Sequence, residues 1–416
     1  MCIFQERPVM RRLIMIGGWT EIYVKAKACG FHLTVVQQKE DITFEDFLIA
    51  DQIISSPMGE KVVVDLVETL HRREAYHAVV SFQEFGLLNA ALIQERLGIL
   101  GNPIGPVLLT RDKGHMRAHM KANGIPSIPF ATVNSPEEVI AFAQQCGWPI
   151  IIKPVNGAGS LQVHKLFSED EVVPAYNAIK QDFLTTDLIK YDFPDIGIIA
   201  EKFIEGPEVS VEAISWDGQH TILGVTDKIT TGYPGFVETG HSMPSALAPE
   251  KIDAIKRLTI SFLTSIGHLY GPSHSEIIFS ETGPVIVESH TRTGGDRIFE
   301  MTELACGVDM FTATLQGLSG AFPDIQMTKT NGAAIRYLSL PTGRVTSISG
   351  LDTAHQSPGV VRCDITVKAG DICKRPQNSD ERAGYILANG DSGPQAIENV
   401  MRALAKVTVE VERLNA

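Results

Sequence analysis

The 416-residue sequence is short of positive charge: 36 Lys and Arg against 49 Asp and Glu give a net charge of −13. That excess repels phosphate backbones and anionic lipid surfaces, so neither nucleic acid nor a membrane is an expected partner. Paired cysteines are missing too. The six (Cys2, Cys29, Cys146, Cys306, Cys363, Cys373) form no CxxC pair and no zinc-ligand spacing, and read as reduced thiols of a cytoplasmic protein. The apolar run at 13–16 stops at Gly17-Gly18, too short for a signal-peptide core, and no other stretch approaches the roughly 18 residues of a membrane span. There is no GxxxxGK[ST] loop, no full GxGxxG, no internal repeat and no low-complexity segment.

What is present is an ordinary globular balance, 44% apolar and 20% charged, over a length that makes roughly three packed units. From Arg11 to about Pro106, short apolar strands (LIMIGG, FHLTVVQ, ADQIISS, HAVVSF) alternate with helix-like stretches, the pattern of a doubly wound parallel sheet. The first turn, GGW, lacks the dinucleotide fingerprint, so an NAD-linked oxidoreductase would rest on fold alone. A second block opens with a helix predicted over 110–124, with Thr110 as N-cap and Gly124 as its stop, and runs through PFATV, SPEEVIAFAQQCG and WPIIIKP. A third block, about 197–328, is strand-rich. The last, about 331–416, has strands, turns and one good helix, SGPQAIENVMRALAKV.

The strongest chemical pattern is HSEIIFSETGPVIVESHTRTGGD (274–296). Folding this hairpin about a turn at Glu281-Thr282-Gly283 sets Glu276 opposite Glu288, at the ~5 Å of cross-strand neighbours. Two carboxylates that close are costly without a cation between them, and oxygen-only ligation suits Mg²⁺, whose other positions phosphate oxygens fill. Alone, the pair is equally an exposed hairpin base. The residues that follow tip the balance: Arg292 supplies a guanidinium, and Gly294-Gly295 bare amides for a developing oxyanion.

Two further segments fit that chemistry. In IIIKPVNGAGSLQV a buried strand delivers Lys153 into a Gly/Ser loop able to cover phosphates, although two glycines between strands are commonly just a turn. AEKFIEGPEVSVE brackets an apolar strand with Glu201 and Glu208, an extended hinge that can meet an adenine edge and a ribose; by periodicity alone it is a plain amphipathic strand. His115 and His119, one helical turn apart, have no third zinc ligand and read as an exposed helix face.

In chain order these pieces resemble the ATP-grasp superfamily, and within it the L-amino acid (dipeptide) ligases of bacterial peptide-antibiotic pathways, such as the bacilysin and dapdiamide ligases. The resemblance implies an α/β (α+β ATP-grasp) fold with a Rossmann-like domain at 1–108, a lid at 109–196, a catalytic core at 197–330 and a C-terminal β-rich subdomain at 331–416. By position, Lys113 and Lys153 look like the lysines on the α- and β-phosphates, and Asn156, Gly157, Gly159 and Ser160 like the mobile flap. Glu201, Phe203 and Ile204 match the adenine hinge, Glu208 the ribose carboxylate, and Lys228 the lysine near the γ-phosphate. Glu276 and Glu288 match the metal carboxylates and Arg292 the arginine that steadies the acyl phosphate. His290 stands where many members have Asn; Mg²⁺ prefers oxygen, so contact with phosphate or through water suits it better than ligation. Glu238, His241, Asp296 and Arg336 fall on the implied substrate side, Glu238 facing an ammonium.

The implied activity is an ATP-dependent carboxylate–amine ligase, joining two amino acids, or an N-acyl amino acid and an amino acid, through an acyl phosphate in antibiotic dipeptide biosynthesis. ATP is its substrate, Mg²⁺ its metal (two ions, with Mn²⁺ able to substitute), amino acids its small-molecule partners and a homodimer its assembly. Two other readings stay open: an enzyme of the biotin-carboxylase or purine-pathway type activating bicarbonate or formate, and a non-catalytic nucleotide-binding protein, which would be expected to lose the metal carboxylates.

Overall fold

The computed structural model describes residues 11–156, 162–183, 197–232, 236–321, 325–376 and 378–413. The N-terminal strands β1 (Arg12–Ile16), β2 (His32–Gln37), β3 (Gln52–Ser55) and β4 (Ala78–Val80) form a parallel sheet in the order β3-β2-β1-β4. They are joined by α1 (Thr20–Ala28), the single-turn α2 (Asp46–Ile49) and α3 (Glu60–Arg73), and α4 (Glu84–Leu97) follows. Both faces of β1 are buried, as the continuous apolar runs predict for a parallel sheet. Leu13 and Met15 pack with α1 on one side, and Ile14 and Ile16 with α3 and α4 on the other. The turn after β1 is filled by the protein: Gln83 Oε1 accepts from Gly18 N at 2.6 Å, and Gln37 Nε2 donates to Gly18 O at 3.1 Å.

The single helix predicted over 110–124 is two: α5 (Ile104–Arg111) and α6 (Lys113–Ala122). Thr110 is no cap; it lies inside α5 with its Oγ1 on Pro106 O. Asp112 is the cap. Extended at φ −117°, it accepts from His115 N at 2.8 Å, as a short carboxylate at an N-cap does. The break makes Lys113 the first residue of α6. The small sheet that follows is antiparallel, in the order β5-β8-β6-β7: β5 (Phe130–Val133), β6 (Ile150–Pro154), β7 (His164–Leu166) and β8 (Ile198–Lys202). Helices α7 (Pro136–Cys146) and α8 (Val172–Phe183) cover it.

The main sheet has eight antiparallel strands ordered β13-β12-β9-β10-β11-β14-β18-β16. Its members are β9 (Glu208–Trp216), β10 (Gln219–Thr230), β11 (Glu238–Met243), β12 (Gly271–Ser280), β13 (Gly283–His290), β14 (Gly332–Tyr337), β16 (Val360–Ile365) and β18 (Gly384–Gly390). Helix α9 (Pro249–Ile266) packs on it through Ile255, Leu258, Phe262 and Ile266. Helices α10 (Ile298–Cys306) and α11 (Met310–Leu318) follow β13; α11 docks through Phe311, Leu315 and Leu318 onto the parallel sheet. A small sheet of β15 (Gly343–Ser349), β17 (Ile372–Cys373) and β19 (Thr408–Glu412), with α12 (Leu351–His355) and α13 (Gly393–Leu404), completes the chain. Strand pairing crosses two divisions read from chain order: β8 lies beyond residue 196 yet belongs to the small sheet, and β14, β16 and β18 extend the main sheet. Among the described residues no helix is long and apolar enough to cross a membrane.

A clasp beside α9 carries a pH prediction. Asn102 donates to His268 Nδ1 at 3.1 Å and accepts from Leu269 N and Tyr270 N at 3.2 Å, while His268 Nε2 faces Gly271 O at 3.3 Å. Burial, with His220 stacked 6.4 Å away and the Gly271 contact opposing, lowers the imidazole to about 4. The unfolded chain therefore binds the proton from about pH 6.5 downwards while the folded chain refuses it until about 4. Each tenfold difference in proton affinity between the two states is worth about 1.4 kcal/mol, so denaturant unfolding is expected to show about 3 kcal/mol of stability lost across that window. His268→Gln is expected to remove that dependence.

Candidate active site

The hairpin β12–β13 places the two acids as the sequence predicts, by a different route. Ser280 pairs with Gly283, so the connection is the two residues Glu281-Thr282, with Gly283 at φ +117° opening β13. A regular ladder from that turn would set Glu276 opposite Val287. Between Ile277 and Glu276 the register slips by one, leaving Val287 as an extra residue, and Glu276 pairs with Glu288. The bulge is a built feature. Arg117, on α6 and fully buried, donates Nη2 to the Val287 carbonyl at 2.6 Å and Nε to Glu201 Oε1 at 2.9 Å.

A cavity of about 550 Å³, within the range of small-molecule sites, opens between the small and main sheets. Lys113, Lys153, Glu201, Phe203, Ile204, Glu208, Lys228, Glu238, Glu276 and Glu288 all line it. Its charges come in buried sets. Lys113 Nζ is 2.8 Å from Glu288. Lys153 Nζ is 2.7 Å from Glu201 Oε2, so that carboxylate is closed off between Lys153 and Arg117. The hinge reading of Glu201 is thus narrowed: its side chain braces Lys153, and its backbone is paired on both sides, to Phe130 and Ile151. Beside it the Phe203 ring lies 3.4 Å under the Lys165 ammonium. Lys228, only 4% exposed, sits among Glu208 at 2.6 Å, Glu276 at 2.8 Å and Glu238 at 3.6 Å.

Burial alone would raise the carboxyls and lower the ammonium; the partners win in every case. Lys228 with His274 holds Glu276 far below the usual carboxylate range, Lys113 with His290 does the same for Glu288, and Arg117 and Lys153 lower Glu201. The three acids push Lys228 well above its ordinary value. Burial would also lower His274, but Glu212 at 2.7 Å from Nδ1 and Glu276 at 3.4 Å from Nε2 push it up to about 9.

The other candidate residues stand behind this wall. Arg292 lies past the end of β13, its Nε on Glu84 Oε2 at 2.8 Å. His290 is wedged between carboxylates, Nδ1 3.2 Å from Glu84 and Nε2 3.1 Å from Glu288. Gly294 is glycine for room: a Cβ there would meet the His274 ring at 2.6 Å, whereas Gly295 is open. Asp296 and Arg297 follow with consecutive left-handed backbones, φ +53° and +56°. That strained turn is held by a two-pronged Arg382–Asp296 pair at 2.6 and 2.7 Å, with His241 Nε2 also on Asp296 at 2.9 Å; Arg382 and His241 keep Asp296 well below its usual range against its burial. Ser379 donates to Glu238 Oε2 at 2.7 Å. Arg336 donates to the His241 and Ile335 carbonyls and has no carboxylate partner among the described residues; burial lowers its pKa. Asn156 keeps Oδ1 buried without a partner among the described residues. Gly157, Gly159 and Ser160 lie outside the described residues. His115 is drawn to Asp112 and His119 to Ser265.

Sequence reasoning missed Glu84, Arg117, Glu212, His274, Ser379 and Arg382. Only His274 carried a signal, two places before Glu276 on the same face of a strand.

Comparison with known proteins places this fold in a family. Three family models match in order: an ATP-grasp N-terminal domain over 23–100, an ATP-grasp domain over 146–300 and an L-amino acid ligase C-terminal domain 2 over 336–412. The chain belongs to the ATP-grasp superfamily, in its L-amino acid ligase branch. It is 24% identical over 304 residues to the L-arginine-specific L-amino acid ligase of Bacillus subtilis, covering 72% of each chain. To the alanine–anticapsin ligase of Bacillus subtilis strain 168 it is 25% identical over 264 residues, 60% of this chain and 56% of that one. The crystal structure of an L-amino acid ligase from Bacillus licheniformis superposes with a TM-score of 0.80 at 20% identity, covering 97% and 99% of the two chains. The biotin carboxylase domain of Hydrogenobacter thermophilus 2-oxoglutarate carboxylase, solved with MgADP and bicarbonate, gives 0.70 at 17% identity, covering 97% and 91%. At such identity these structures speak for the fold, an α/β ATP-grasp architecture. The ATP-grasp match spans Lys153, the main-sheet strands of the cavity and Arg292; the ligase-specific match begins at Arg336 and contains Ser379 and Arg382.

Proposed function

We propose that this ligase uses ATP to join the carboxylate of one amino acid to the amine of a second, releasing ADP and phosphate. The observation that carries the reading is the convergence of Lys113, Lys153 and Lys228 with the opposed pair Glu276–Glu288 on one cavity. A carboxylate oxygen of the first substrate attacks the γ-phosphorus in line, the bond to the β–γ bridging oxygen breaks, and an acyl phosphate forms. The second amine bonds to the acyl carbon, a proton is released and inorganic phosphate leaves. No protein nucleophile is needed; positioning and charge neutralisation suffice.

Lys113 and Lys153 take the α- and β-phosphates, Phe203 and Ile204 the base, with Glu201 bracing Lys153, and Glu208 the ribose. Lys228 turns to the γ-phosphate, and Glu238, braced by Ser379, takes a substrate ammonium. Arg292 and the Gly294-Gly295 segment serve the acyl centre; His241, Asp296 and Arg336 shape the substrate side, Arg336 taking an anionic group. The donor set fits magnesium: two opposed carboxylates held ionised, and among the described residues no group of three or more acids, histidines or cysteines that would hold a metal without the nucleotide. Two Mg²⁺ ions, or Mn²⁺ in their place, would be held by Glu276 and Glu288 with phosphate oxygens and would neutralise the transferring phosphoryl group. His290, facing Glu288 and Glu84, acts as a bridge between them.

Bicarbonate or formate activation is the second chemistry this fold hosts; the Glu238 carboxylate at the cavity wall disfavours so small an anion there. A matrix of amino-acid pairs screened for phosphate release, with products identified by mass, tests the reading. A dipeptide with stoichiometric ADP is expected. AMP with pyrophosphate, or turnover with bicarbonate alone, overturns it. Light scattering checks the homodimer that goes with this reading.

A further inference from the structure

Glu84 is a part-buried acid, 16% exposed, that the nucleotide reading leaves without a task. It opens α4 at the carboxyl edge of the parallel sheet, the edge where open α/β sheets place ligands. Its place is fixed locally: Gln83 is tied back to Gly18 N, and Gly86 lies so close to Ser81 and the Ile16 carbonyl that a Cβ would meet them at 2.3 and 2.7 Å. From there the carboxylate reaches Arg292, 208 positions along the chain. Oε2 accepts from Arg292 Nε at 2.8 Å and stands 3.2 Å from His290 Nδ1, while Oε1 is 3.9 Å from Arg111.

Basic and acidic groups thus alternate without a gap from the cavity outwards: Lys113, Glu288 at 2.8 Å, His290 at 3.1 Å, Glu84 at 3.2 Å, Arg292 at 2.8 Å. Arg292 is also fixed on two of its three nitrogens, Nε by Glu84 and Nη1 by the Thr293 carbonyl at 2.8 Å, so Nη2 has no partner among the described residues. A planar guanidinium held at Nε and Nη1 presents Nη2 as a preorganised donor. A pair this deeply placed adds little net stability, since desolvation offsets most of the attraction.

We propose that Glu84 is a positioning residue for the acyl-transfer step: it aims Arg292 Nη2 at the acyl phosphate and, through His290, ties that aim to Glu288 in the nucleotide cavity. The role given to Arg292 rests on the ligase reading; the contact itself does not. The test uses the full chain with ATP, Mg²⁺ and its best amino-acid pair. Glu84→Gln is expected to lower kcat ten- to a hundredfold while KM for ATP stays within threefold, and Glu84→Asp to recover part of the loss. Because Glu84 acts through Arg292, Glu84→Gln combined with Arg292→Lys should be no slower than Arg292→Lys alone. A kcat within twofold of wild type, or losses that multiply in the double variant, overturns the proposal. A second readout needs no turnover: in ¹⁵N-arginine-labelled protein, the Arg292 Nε–H signal, assigned by its loss in Arg292→Lys, should be slow to exchange and should broaden in Glu84→Gln. A signal that is already fast in the wild type sinks the Glu84 contact. A wild-type enzyme with that signal intact but no ligase turnover sinks the ligase reading, and with it the catalytic task assigned here.

Discussion

Arg292→Ala is expected to lower turnover at least a hundredfold while nucleotide affinity, measured with a fluorescent ATP analogue, changes by no more than a few-fold. The split follows from placement. Arg292 does not line the nucleotide cavity; it stands behind it, past the end of β13, clamped by Glu84 and Thr293. Removing one preorganised donor from a developing anion typically costs about 2.7–4 kcal/mol in the transition state, which is ~10²–10³ in rate. Arg292→Lys should recover little of that, since an ammonium has no fixed plane that can be held at two nitrogens while a third donates. A variant that turns over near-normally, or one that loses ATP binding in proportion to rate, would take Arg292 out of the acyl step.

Lys228→Met should be the most destabilising change in the site. It leaves Glu208, Glu276 and Glu238 around an apolar side chain, and removing one partner from a buried ion pair costs about 3–5 kcal/mol. The pH dependence gives the variant a signature. In the wild type the lowered Glu276 contributes stability that is present above about pH 4.5, the usual carboxyl value, and is lost as pH falls through its folded value. Without Lys228 the largest influence holding Glu276 ionised is gone, so protonation relieves the crowding and the gap between variant and wild type should narrow as pH falls. Added Mg²⁺ should stabilise the variant more than the wild type. Equal m-values with a gap that does not vary with pH or metal would mean that Lys228 packs rather than neutralises.

The parallel sheet was legible because each of its strands is a short apolar run between turn signals, and such runs are read locally. Glu276 and Glu288 were legible because a hairpin is local too, although the expected three-residue turn hid an error that the bulge at Val287 cancels. The helix over 110–124 failed at one residue: its apolar spacing continues through Asp112, but the Asp112 carboxylate caps His115 N better than it tolerates a helix interior. Arg117, Glu84 and Arg382 were illegible for a common reason. Their partners Glu201, Arg292 and Asp296 lie 84, 208 and 86 positions away, and a single charge on an element reads as solvated until its distant partner is known. The block boundaries followed chain order, whereas β8 and β14 joined the sheets whose apolar faces they complete.

The slipped register at Val287 also separates the hairpin's tip from its base. Arg117 pins the extra residue from the buried interior, so the alignment of Glu276 with Glu288 is set from within and not by Glu281 and Thr282, which are exposed. A fluorophore, an epitope or a few added residues at that tip would leave the alignment of the two acids undisturbed.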